Sequence, residues 1–94
     1  MTRSQAVPAV QIDNDRVKVT ELRFAPGAET GRHRHAMECV VVAITTGVLR
    51  LETPTGTFDN LLTAGMSYSR PDGMEPNVIN AGMQDFVFIE AELK

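Results

Sequence analysis

The sequence predicts an all-β domain, a closed barrel or jelly roll, on three observations. Short runs alternate apolar and polar residues or are continuously β-branched; glycine and proline turns separate the runs; no segment carries a 3.6-residue period with helix caps. With 94 residues there is room for one domain, spanning 1–94, since domains usually run to roughly 100–200 residues. Closing the sheet would remove edges that template aggregation.

Taken in order, Met1 to Val10 reads as a loose leader, because Pro8 discourages regular structure. From Arg16, Val17, Val19, Leu22 and Phe24 stand among charged residues in near alternation, the pattern of a half-buried strand, and Pro26-Gly27 stops it. Glu29 to His35 is polar and extended. Cys39 to Thr45 is the strongest strand candidate; Thr46-Gly47 turns it into Val48 to Glu52. Thr53-Pro54-Thr55-Gly56 has turn chemistry and leads into Thr57 to Leu62. Met66 to Arg70, the turn Pro71-Asp72-Gly73, Val78 to Asn80 and Phe86 to Leu93 complete about eight strands.

Composition narrows the function classes. Apolar residues make up 43% and charged residues 22%, as in an ordinary globular protein. Tryptophan is absent, so the core is expected to be mostly aliphatic. The net charge of −3 comes from interleaved acids and bases. A nucleic-acid partner would call for a basic stripe, and none is visible; Arg32 and Arg34 read as a solvated strand face. The longest apolar stretch, Cys39 to Ile44, falls far short of the ~20 residues of a membrane helix. Residues Met1 to Val10 carry one arginine and no long apolar run, unlike a signal peptide. Cys39 is the lone cysteine, which excludes an intrachain disulfide and suggests a reducing, cytoplasmic setting.

The only histidines, His33 and His35, are separated by Arg34. On a strand they share a face, close enough for both imidazoles to converge on one cation such as Fe, Ni, Zn or Mn. Glu38 follows three residues after His35; its carboxylate either completes a two-histidine, one-carboxylate facial set or faces water beside Arg34 or Arg70. Tyr68 and Arg70 stand at alternate positions, suited to orienting a substrate as proton donor and anion anchor, although such a tyrosine also serves as core. Met74 borders the same region. Gly65-Met66-Ser67-Tyr68-Ser69 lacks the closing glycine of a nucleophile elbow, and no third histidine exists to act as base. No phosphate-cradling glycine loop precedes a helix, so nucleotide binding has no support.

These residues resemble the cupin superfamily. Its first motif reads glycine, five residues, His-x-His, three or four residues, glutamate, six residues, glycine; Gly27, His33, His35 and Gly47 fall in place. Its second reads glycine, five residues, Pro-x-Gly, two residues, histidine, three residues, asparagine; Gly65, Pro71, Gly73 and Asn80 match. Val40 stands at the glutamate and Pro76 at the second-motif histidine, and neither carries a donor atom. Runs such as Ala25-Pro26-Gly27, Leu49-Arg50-Leu51-Glu52 and Phe86-Val87-Phe88-Ile89-Glu90 are similar to the small single-domain cupins linked to β-alanine degradation. The resemblance implies a double-stranded β-helix, an acidic residue just after His-x-His (here Glu38), and a homodimer.

Two functions are expected from this. One is a metal-dependent protein acting on a small carboxylated metabolite, with His33, His35 and Glu38 holding a divalent transition metal and Tyr68, Arg70, Met74 and Asn80 lining the substrate site. The other is a binding or sensing module that has lost its metal ligands and keeps an apolar cavity. A third reading is a structural subunit that works only as a dimer. No residue is assigned a catalytic role.

Overall fold

The run Cys39-Val40-Val41-Val42-Ala43 folds as its β-branched centre demands, into a strand whose burial alternates: Cys39, Val41 and Ala43 are buried, Val40 and Val42 half-buried. This alternation sets the inner and outer faces of the molecule. The computed structural model describes residues 4–31, 37–70 and 77–94. Eight strands form in chain order: β1 Val7–Asp13, β2 Val17–Phe24, β3 Cys39–Ala43, β4 Gly47–Thr53, β5 Gly56–Leu62, β6 Ser67–Arg70, β7 Asn77–Asn80 and β8 Phe86–Leu93.

They build two antiparallel sheets, one of five strands in the order β1-β2-β8-β3-β6 and one of three in the order β5-β4-β7. The sheets face each other as a jelly roll, the predicted architecture. Their inner faces share one core: Phe24, Phe86 and Phe88 from the large sheet pack against Leu49, Leu51, Leu62 and Val78 from the small one. The Phe24 and Phe88 rings lie 5.3 Å apart and tilted; Phe86 and Phe88 meet edge-on at 6.3 Å. The core is mostly aliphatic, as expected, with three of the four phenylalanines gathered at one end of the barrel.

The leader reading is corrected. Val7–Asp13 is a strand, paired with β2 from Val7↔Arg23 to Asp13↔Lys18. Pro8 is tolerated because β1 is the edge of its sheet, where a missing N–H need not break a ladder. The register shifts between Val10 and Ile12, and such a bulge re-aims the side chains that follow. Val10 faces Thr20 on the inner side, whereas Ile12 faces Val19 on the outer side.

Of the polar segment after β2, the described residues 28–30 form a strip bonded on both flanks. Thr30 N–H donates to Val78 C=O (2.9 Å) and Asn80 N–H to Ala28 C=O (3.0 Å). On its other side Ala6 N–H donates to Glu29 C=O (2.8 Å) and Glu29 N–H to Ser4 C=O (2.9 Å). Residues 28–30 thus close the gap between β7 of the small sheet and the amino-terminal end of the large one. Gly27 (φ 80°) and Gly31 (φ 83°) bracket this strip in the left-handed region, which glycine enters without a Cβ clash.

Candidate functional site: the charged end of the barrel

The cross-strand register sorts the inner face of the large sheet into rows. Phe24 and Phe86 pair at one end, Leu22 and Phe88 next, then Thr20 with Glu90, and finally Lys18 with Glu92. Extended across the sheet, the last row reads Asp13, Lys18, Glu92, Cys39, Arg70. The row before it reads Val10, Thr20, Glu90, Val41, Tyr68. One end of the barrel is hydrocarbon and the other is charged.

A pocket of about 310 Å³ opens at the charged end, close to the small limit of ligand sites at ~300 Å³. Its floor is Leu22, Val78 and Phe88, its rim Lys18, Thr20, Thr30, Arg70, Glu90 and Glu92, and one wall is the amino-terminal strip of Ala6, Pro8 and Val10. Arg70 is 2% exposed and lies 3.8 Å from Glu90, which is 9% exposed. Arg70 also donates to the Tyr68 hydroxyl at 2.9 Å. Two buried charges thus offset each other in the wall, where either one alone would be costly.

Cys39 sits between Arg70 and Glu92, fully buried. Burial pushes its thiol up to about 11, and the nearby Glu90 carboxylate adds to the rise. At the mouth, Asn77 clamps the strip that leads towards the histidines: its side-chain amide donates to Glu29 (2.8 Å) and Glu52 (2.9 Å), and its carbonyl accepts from Gly31 N–H (2.9 Å).

The residues nominated by the sequence separate here. Arg70 lines the pocket, and Tyr68 reaches it through Arg70 while packing against the core and bordering a second hollow beside β5. Asn80 lies at the opposite, hydrocarbon end. Its amide donates to Phe24 C=O (3.2 Å) and Gln84 C=O (2.7 Å) and its carbonyl accepts from Gly82 N–H (2.9 Å), so it pins the β7–β8 turn. Glu38 is exposed, and its C=O accepts from Leu93 N–H at 2.8 Å. It precedes Cys39 by one residue and so has outward parity with Val40, away from the inner row. Cys39 takes the inward face. His33, His35 and Met74 lie outside the described residues, as does Pro76. Among the described residues no group of three His, Cys, Asp or Glu side chains is placed to hold a metal.

Sequence reasoning passed over Lys18, Thr20, Glu90 and Glu92. The signal was present in β8, where Phe86, Phe88, Glu90 and Glu92 alternate on one face, so a hydrocarbon stripe turns acidic halfway along. It also passed over Cys39 as an inward donor.

The sequence matches no protein-family model. Over 92 residues it is 59% identical to the beta-alanine degradation protein BauB of Pseudomonas aeruginosa, covering 98% of this chain and 97% of the relative. The chain belongs to the BauB family of small cupins. A crystallised cupin domain from Bordetella pertussis Tohama I is 61% identical and superimposes with a TM-score of 0.96, covering 100% of this chain and 98% of that one. An RmlC-like cupin from Methanocaldococcus jannaschii, 12% identical, still reaches a TM-score of 0.81 over 96% of this chain and 81% of its own. That distant likeness shows the double-stranded β-helix alone. No helix of the described residues is long and apolar enough to cross a membrane.

Proposed function

We propose that this BauB-like cupin binds a divalent transition metal through His33 and His35 and acts on a small carboxylated metabolite within β-alanine degradation. One observation carries the reading: the pocket rim includes Thr30 and Arg70, and in the sequence Thr30 stands three residues before His33 while Arg70 directly precedes Pro71 of the second motif. The relative's name supplies the metabolic setting.

The donor chemistry of the region suits a borderline cation, since imidazole, thiolate and carboxylate all serve such ions. Sequence spacing nominates Glu38 as the third donor, and the inward parity of β3 favours Cys39. When bound, the metal would supply Lewis acidity or an oxygen site. The chain's own residues bind and orient: Arg70, held by Glu90 and Tyr68, presents a fixed positive edge to a carboxylate, and Leu22, Val78 and Phe88 exclude water beneath it.

Elemental analysis of protein purified without a histidine tag tests this reading. Near-stoichiometric metal that disappears in His33→Ala/His35→Ala supports it, and an empty protein overturns it. Metal content of Glu38→Ala and of Cys39→Ser identifies the third donor.

A second reading, a binding module without turnover, is favoured by Val40 and Pro76, which bring no donor to the places the superfamily uses. Its signature is a metal-free protein that still binds small carboxylates. In either case a homodimer is proposed. The outer face of the large sheet carries Val19, Val40, Val42, Ile89 and Ala91, all half-buried, a patch that a second copy can cover. The lone unpaired cysteine supports a cytoplasmic location.

A further inference from the structure

We infer that the pocket selects a short zwitterion, a molecule bearing a carboxylate and an ammonium group a few bonds apart, and that Lys18 and Glu92 are the residues that read its two charges. The inference deepens the reading above and rests on it only in taking this pocket as the ligand site.

Lys18 and Glu92 pair directly across β2 and β8 and both line the pocket rim. The other charges of the two inner rows are already matched. Asp13 accepts from the Lys94 ammonium at 2.7 Å, which with Lys18 nearby holds its carboxyl below the usual range. Arg70 faces Glu90 and the Tyr68 hydroxyl. Among the described residues, Lys18 and Glu92 enter no ion pair with each other or with any neighbour. The rim therefore presents one positive and one negative group, set on adjacent strands ~5 Å apart.

A ligand with a single charge satisfies one of these groups and leaves the other facing it with the same or no charge. A zwitterion satisfies both. The separation suits a chain of two or three carbons, and the volume of about 310 Å³ leaves room for such a molecule and accompanying water. Glu90, one row away, faces Arg70 and offsets its charge, so the discrimination between singly and doubly charged ligands falls on Lys18 and Glu92. Charge-assisted hydrogen bonds at such groups are roughly twice as strong as neutral ones.

Calorimetric titration of the full chain tests this with three probes that each contain three carbons: β-alanine, propanoate and propylamine, each against protein as purified and against chelator-treated protein. The expected result is that β-alanine binds at least tenfold more tightly than either singly charged probe, in both preparations. Lys18→Gln is expected to bring β-alanine down to the level of propylamine, and Glu92→Gln to the level of propanoate. Circular dichroism of both variants checks that the fold is intact, and the conservative exchanges Lys18→Arg and Glu92→Asp should keep the preference. Equal binding of β-alanine and propanoate, a preference that vanishes with the metal, or unchanged binding in Lys18→Gln and Glu92→Gln each overturns the inference. A protein that holds no metal yet prefers the zwitterion defeats the metal reading and leaves this one standing; a metal-loaded protein without the preference does the reverse.

Discussion

Arg70 and Glu90 face each other at 3.8 Å with 2% and 9% of their side chains exposed, on strands β6 and β8 that never pair directly and are joined only through β3. The contact spans β3 above Cys39 and Val41, so it ties the edge strand to the middle of the sheet.

Removing one partner leaves the other charge buried and unmatched. Arg70→Met or Glu90→Gln is expected to destabilise the protein by about 3–5 kcal/mol, the usual cost of breaking a buried pair. The double variant should recover most of that loss. Urea unfolding of the wild type, both single variants and the double variant measures the coupling.

Gly47 is a packing glycine. A Cβ built on it would lie 2.7 Å from Cδ2 of Phe86, at the hydrocarbon end of the barrel. Gly47→Ala should therefore cost about 1–3 kcal/mol, as overpacked cores do. Shortening the ring in Gly47→Ala/Phe86→Leu should return part of it, read as the shift in thermal midpoint.

The Cys39 thiol is fully buried and its proton is held up to about pH 11. Thiolate is the reactive form, and at pH 8 it amounts to about one part in a thousand for such a group. Metal-stripped native protein should resist maleimide at pH 8 and label rapidly once unfolded in urea, as followed by mass spectrometry. The sign of the stability effect follows. The folded thiol keeps its proton more tightly than the unfolded one at its ordinary 9.0, so this contribution is whole below that value and fades as pH climbs towards about 11.

Asn80→Ala removes three hydrogen bonds around the β7–β8 turn, leaving Gly82 N–H and two carbonyls without their partner. A loss of about 1–3 kcal/mol is expected for a buried polar group left unsatisfied. Affinity for small carboxylates should be unchanged, since the residue lies at the far end of the barrel from the pocket; weaker binding at full folding would return Asn80 to the ligand site.

The strands were legible where side-chain patterning was strong. β3 and β8 announce themselves through β-branched and aromatic runs, and β4 and β5 through the proline–glycine turn between them. β1 was not, because its residues are all exposed and Pro8 argues against a strand in any setting except an edge. The site was half legible. Arg70 was found from its spacing to Tyr68, but Lys18 and Glu92 are ordinary surface types whose inward direction depends on pairing between strands 74 positions apart in the chain. Glu38 is exposed and precedes the first residue of β3, and its relation to His35 falls outside the described residues.

The strip of residues 28–30 has a consequence for anyone handling this protein. It is stitched to β7 on one flank and to Ser4 and Ala6 on the other, and Ala6 and Pro8 are themselves pocket wall. Trimming the chain past Ser4 would unstitch Glu29 and loosen the strip of residues 28–30. Fusions and cuts at the amino end are thus edits to the binding chamber, and the opposite terminus is no freer, since Lys94 is tied to Arg16 and Asp13 and Glu92 lines the same rim.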